Sequence, residues 1–410
     1  NYNIYDNIVG ALNHGNQGNG MIIGPAQCLH IYDNRFEYNA NDGLSIESTF
    51  PATGTISGNY FNNNGIWGAS LMVSQSTISY NAASNNGMGG LDLTGVNNQL
   101  LCTTALNNTW YGISVTGDEN TISSSNFSGS SAVISGNYDG LLLNGNNNVV
   151  KNYAIHFNLN DGIHIFSGSS GNLIGGTATS DRNLIYGNGR GLVIEAQASN
   201  NQVVNNAFGD DGGNGLIGLL VMGSNNLIGG DSYSKGNSFA NTTEIAVMFQ
   251  GTGATGNVFR SNMVGKDKDG MDAPNGQGII ITDGASRNQI IDNTILNSQG
   301  AGIQIRSGSG NWLYKNRIYQ NGGMGVDLYP AGVTMNDMGD GDSGANQLQN
   351  YPVIASALVD TSGTHLQGMF SSAPSATYTL GFFKSAACDS NGYGEGESHI
   401  ITQTVTTDSN

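Results

Sequence analysis

Aliphatic residues recur along this chain in short alternating runs, most of them opened by a glycine. Examples are Gly43-Leu-Ser-Ile, Gly90-Leu-Asp-Leu, Gly112-Ile-Ser-Val, Gly162-Ile-His-Ile, Gly191-Leu-Val-Ile and Gly302-Ile-Gln-Ile. Alternation with period two marks strands with one face buried and one open. Two variants, around Leu71 and Ile245, complete the series, and the spacing is mostly 22 to 29 residues. Between these runs lies a second element, Asn-x-Ile-x-x-Asn-x-Ile-x-x-Asn, in full at Asn288–Asn297 and again at Asn311–Asn321. Each period therefore holds three short strands separated by Asn or Gly corners, residues that tolerate a left-handed backbone. One such unit buries too little alone, but stacked units share a continuous core.

The pattern predicts an all-β fold, a single-stranded parallel β-helix of about thirteen coils. At ~4.8 Å per coil the rod measures roughly 60 Å, and Asn side chains at equivalent corners are expected to stack into ladders. A β-propeller needs about 40–45 residues per blade, which the single-coil period excludes. The coil pattern stops after Leu328, so residues 1–332 are assigned to the β-helix and 333–350 to an acidic linker. Residues 351–410 read as four antiparallel strands, at 353–359, 365–370, 378–383 and 399–405. Four strands make only part of a β-sandwich, which uses about seven. Asn1 opens in mid-pattern and Thr407–Asn410 is turn-like, so further chain is expected before Asn1, and after Asn410 either more chain or a partner for the half-sandwich.

Longer echoes overlie the short period. Asn172-Leu-Ile-Gly-Gly returns at Asn226-Leu-Ile-Gly-Gly, and Phe208-Gly-Asp-Asp-Gly is echoed at Val264-Gly-Lys-Asp-Lys-Asp-Gly. With the Arg182-Asn-Leu-Ile-Tyr-Gly-Asn segment, these motifs resemble secreted bacterial right-handed β-helix repeat proteins of the pectate-lyase-like superfamily. The resemblance covers about residues 1–330, and it implies a right-handed coil and an extracellular or bacterial cell-surface location. The tail resembles the opening of the immunoglobulin-like modules that follow such β-helices. The superfamily holds lyases, hydrolases, epimerases, adhesins and passive stalks, so the resemblance leaves activity open.

Composition agrees with a solenoid. The 410 residues include 62 Gly and 56 Asn, and charged residues are only 10%. The net charge of −17 repels phosphate backbones, which excludes nucleic acid as a partner, and it disfavours polyuronates unless calcium screens them. No apolar run reaches the ~20 residues of a membrane span. Cys28, Cys102 and Cys388 are too scattered for a disulfide framework and read as buried thiols.

If Leu44 and Ile46 face in, Ser45 and Glu47 face out, and the same rule along the chain gives an outward column. Its candidate catalytic residues are Glu47, Asp92, His164, Glu195, Arg306 and Asp327, with Glu47 and Asp92 the nearest approach to a carboxylate pair and no tight group of three acids. The same rule places Leu142, Phe166, Val193, Leu220, Met222, Met248 and Ile280 outward as an apolar stripe. Such a patch is either a lateral interface with another chain or domain, or is covered by the insertion between Gly251 and Gly278. Asp337, Asp340 and Asp342, with Asn346, have the alternating oxygens of a calcium site, against a solvated acidic linker as the alternative. Asp210–Asp211 and Asp267, Asp269 and Asp272 are weaker versions. Three roles stay open: a structural or adhesive surface rod partnered by further copies or domains, a polysaccharide lyase or glycoside hydrolase, and a carbohydrate-binding module. Trp67, Trp110, Tyr111 and Trp312 near turns favour the last.

Overall fold

Each coil contributes one strand to each of three parallel sheets, and each sheet has thirteen strands. The structure, a computed structural model, describes residues 2–48, 51–124, 132–387, 392–393 and 395–409. The first sheet runs from Tyr2–Tyr5 to Trp312–Tyr314, the second from Ile8–Val9 to Arg317–Tyr319, the third from Met21–Ile23 to Val326–Leu328. Every strand pairs with its equivalent one coil on, so like residues stack: Ile31 on Ile56, Ile56 on Ile78, Leu91 on Ile113. These columns form one continuous aliphatic core closed to solvent.

The corners explain the asparagines. A residue in the left-handed region turns the chain, and the Asn after it tucks inward, as at Asp33–Asn34, Asn63–Asn64, Asn85–Asn86, Asn107–Asn108 and Asn147–Asn148. Asn86 shows the bonding. Its Nδ2 donates to the Phe61 carbonyl and to Asn108 Oδ1, while its own Oδ1 accepts from the Asn64 backbone and side-chain amides. Buried backbone groups at the corners are satisfied in this way coil after coil. Where the corner after the first sheet has Thr103, the fully buried Tyr153 phenol reaches across to its backbone.

The glycine that opens each run of the third sheet answers a different need. A Cβ on Gly112 would meet the Gly140 carbonyl and the Asn137 amide of the next coil. The glycine and the aliphatic residue after it therefore both face the interior, and the residue before the glycine turns outward.

Two cysteines depart from expectation. Cys28 is exposed and Cys102 half-buried, because both occupy left-handed corner positions, with φ of 58° and 49°, rather than inward strand positions. Cys388 lies outside the described residues. Near the C-terminus, Val353–Asp360 pairs with Gly363–Met369 and Thr377–Lys384 with Ser398–Thr406, as two separate antiparallel hairpins. Among the described residues there are no α-helices, only short 3-10 turns.

Candidate functional site

The outer face of the third sheet carries three columns rather than two. The residue before each glycine adds a first column, Asp42, Trp67, Gly89, Tyr111, Asp139, Asp161 and Arg190 on coils 2 to 8. The second column, in the same coils, is Ser45, Ser70, Asp92, Ser114, Leu142, His164 and Val193. Glu47, Phe166 and Glu195 belong to the third.

Trp67 and Tyr111 stand two coils apart, about 10 Å at the backbone, yet their rings stack at 6.0 Å with 19° between planes. Gly89 makes this possible: it leaves the intervening position empty, and a Cβ there would run into the Trp67 indole. Trp110 and Tyr138 form a second, edge-on pair at 5.3 Å on the adjoining corner, where both are exposed.

Beside this platform lies a network spanning coils 6 to 8. Asp161, with no side-chain exposure, accepts Arg190 Nε at 2.6 Å and Nη2 at 2.9 Å on its two oxygens. His164 Nδ1 lies 2.8 Å from Asp161 Oδ2, and its Nε2 lies 2.9 Å from Glu195 Oε1. Glu195 Oε2 accepts the Ser167 amide, and the His164 ring stacks on Phe166 at 4.7 Å. Asp139 accepts from the Asp161 backbone and the Asn160 amide. Burial works against a charged His164, but the two flanking carboxylates outweigh it and raise its pKa above the ordinary 6.5. Burial raises the Asp139, Asp92 and Asp42 carboxyls, with hydrogen bonds from Asp161, Ser114 and Trp67 respectively opposing.

The sequence candidates are thus partly assembled. His164 and Glu195 come together, and Asp139, Asp161 and Glu195 do place three acids on three successive coils, contrary to the two-column reading. Asp139, Asp161 and Arg190 escaped because strict alternation assigns the residue before the glycine to the interior. The signal that reveals them is Asp-Gly or Arg-Gly opening three consecutive runs. Glu47 bonds Ser45 on coil 2, and Asp92 bonds Ser114 on coils 4 and 5. Arg306 and Asp327 belong to a separate relay near the far end, Arg306 to Gln304 at 2.7 Å and Gln304 to Asp327 at 2.7 Å.

The apolar stripe is less open than its pattern suggests. Leu142, Val193, Leu220 and Ile280 are buried, leaving Phe166, Met222 and Met248 half-exposed. Met248 registers with Leu220 rather than Met222, so Gln250 takes the outer place and Ala246 is buried. Part of the Gly251–Gly278 insertion packs against Asp210, through the Lys268 amide.

Asp337, Asp340 and Asp342 converge, with one oxygen of each within 4.8 Å of the others. Asp340 is occupied by the Asn350 amide and the Ser372 hydroxyl, whereas Asp337 Oδ1 and Asp342 Oδ1 are shielded from solvent and accept no hydrogen bond. Burial, then the charges of Asp337 and Asp340, raise the Asp342 carboxyl. The Asn346 amide is engaged by the Asn311 backbone and ends a ladder. Asp269 and Asp272 are paired with Lys268 and Lys266, which leaves those acids neutralised rather than gathered.

Residues 2–137 and 218–337 match the right handed beta helix region family. The chain belongs to that family. Similar solved structures include the Dettilon tailspike protein, 14% identical over 94% of this chain and 83% of that one, TM-score 0.48. The A-module of an Azotobacter vinelandii mannuronan C-5 epimerase is 12% identical over 76% and 81%, TM-score 0.29. An α-1,3-glucanase catalytic domain in complex with nigerose is 13% identical over 76% of this chain and 61% of its own, TM-score 0.37. These are likenesses of fold. No curated protein matches the sequence. Within this right-handed β-helix, no helix of the described residues is long and apolar enough to cross a membrane.

Proposed function

We propose that the chain is an extracellular β-helical surface module that binds a glycan along the outer face of its third sheet. The carrying observation is the Trp67–Tyr111 stack beside the fixed hydrogen-bonding network of Asp139, Asp161, His164, Arg190 and Glu195 on consecutive coils. Sugar rings offer C–H faces that pack on aromatic rings, and their hydroxyls pair with carboxylates and imidazole. A rod with such a face suits adhesion or display. Titration with a panel of neutral and acidic polysaccharides tests the reading. Trp67→Ala and Tyr111→Ala are expected to weaken binding at least tenfold while circular dichroism stays native-like. Absence of binding across the panel would overturn it.

A second reading, a polysaccharide lyase or glycoside hydrolase, is favoured by one feature: an imidazole held between two carboxylates that raise its pKa, near an acid whose pKa is also raised. New reducing or unsaturated ends, lost in His164→Ala and Glu195→Gln, would establish it. For the acidic loop, the two unpartnered oxygens of Asp337 and Asp342 favour a bound calcium ion.

A further inference from the structure

The first outward column places a carboxylate at each end of the aromatic stack: Asp42 on the coil before Trp67, and Asp139 in direct register with Tyr111. Asp92 flanks the stack from the second column on the coil of Gly89, and Glu47 stands near Asp42. Among the described residues none of Asp42, Asp92 and Asp139 forms an ion pair, although Asp139 is 8% exposed. The cationic side chains on this part of the sheet are already engaged, Arg190 by Asp161 and His164 by Asp161 and Glu195.

We propose that this aromatic slot selects an amino sugar, taking a free ammonium group between the Trp67–Tyr111 stack and the carboxylate of Asp92, with Asp42 and Asp139 one coil beyond either end to meet the ammonium groups of neighbouring sugar residues. The inference rests on the glycan-binding reading and names the class of glycan. A partly desolvated carboxylate without a counter-charge is costly, and an aromatic face attracts a cation, so one ammonium satisfies both. A neutral sugar gains stacking but leaves the acids uncompensated. A uronate adds like charge where no free cation waits, so the slot disfavours it.

The test is calorimetric titration of the full chain with three oligosaccharides of equal length: glucosamine, N-acetylglucosamine and galacturonate. The free amine is expected to bind at least tenfold more tightly than its N-acetyl form at low salt. That advantage should shrink as sodium chloride is raised, because screening weakens partly exposed charge pairs. Asp92→Asn and Glu47→Gln should each reduce the ratio of the two affinities. Both replacements keep side-chain size, and circular dichroism checks their fold. Equal affinity for the amine and its N-acetyl form, or tighter binding of galacturonate, would overturn the amino-sugar assignment while leaving the glycan-binding face standing. If none of these sugars and none of the wider panel binds, the glycan-binding reading itself fails.

Discussion

At the scale of single residues, two histidines on coil 7 sit in opposite environments. His164 lies between Asp161 and Glu195, and its pKa is raised above 6.5 because those carboxylates outweigh its burial. His156, stacked on Tyr186 at 4.7 Å and lacking a carboxylate, has its pKa lowered by burial. NMR titration should therefore find the His164 midpoint above 6.5 and that of His156 below. The linkage signs also differ. The raised pKa of His164 contributes stability that is complete below about pH 6.5, the unfolded value, and is lost as pH climbs through the folded midpoint. His156 acts the other way: stability falls as pH drops below 6.5, because the unfolded chain takes up the proton first. Replacing His164 by Gln should flatten the alkaline loss in denaturation curves measured from pH 6 to 9. An unchanged profile would mean that the imidazole is neutral in the folded chain.

At the scale of the coil, stability depends on the asparagine ladders as well as on the aliphatic columns. Asn86 serves three coils at once, bonding the Phe61 carbonyl, Asn64 and Asn108. Truncation to Ala would strand a buried carbonyl and a buried N–H, each costing about 1–3 kcal/mol when unsatisfied. We expect Asn86→Ala to destabilise by roughly 3 kcal/mol or more, read from the midpoint of urea unfolding. An exposed asparagine such as Asn85, one position earlier, bonds no ladder, and its left-handed φ of 57° suits Gly. Asn85→Gly should accordingly change the midpoint little. Equal costs at the two positions would refute the ladder as the source of corner stability.

At the scale of the whole molecule, the segment after the last coil serves as more than a spacer. Ala345 joins the solenoid core, Asn346 ends the ladder on Asn311, and Glu395 bonds the Asn321 amide. The three carboxylates of the same segment repel one another unless a cation joins them. Calcium is therefore expected to raise the thermal midpoint by several degrees, and a chelator to reverse it. Asp337→Asn with Asp342→Asn should abolish the response. A midpoint indifferent to calcium would leave the loop an acidic cap without a metal.

Much of this architecture was legible in residue order alone. Strand alternation, asparagine spacing and the period of 22 to 29 residues specify three parallel sheets, because a repeating unit that buries one face must stack on its own kind. The C-terminal strands were readable to within about two residues from the runs of β-branched, aliphatic and aromatic residues that compose them. What required the folded chain was direction at the glycines. Two consecutive inward residues shift the alternation there, and that shift brings Asp139, Asp161 and Arg190 to the surface beside His164. Contact across coils was equally hidden: Asp161 meets Arg190 from 29 residues away, and Trp67 reaches Tyr111 over the space that Gly89 leaves. Sequence period fixes which residues share a column; only the packing of one coil on the next decides which side chains in neighbouring columns touch.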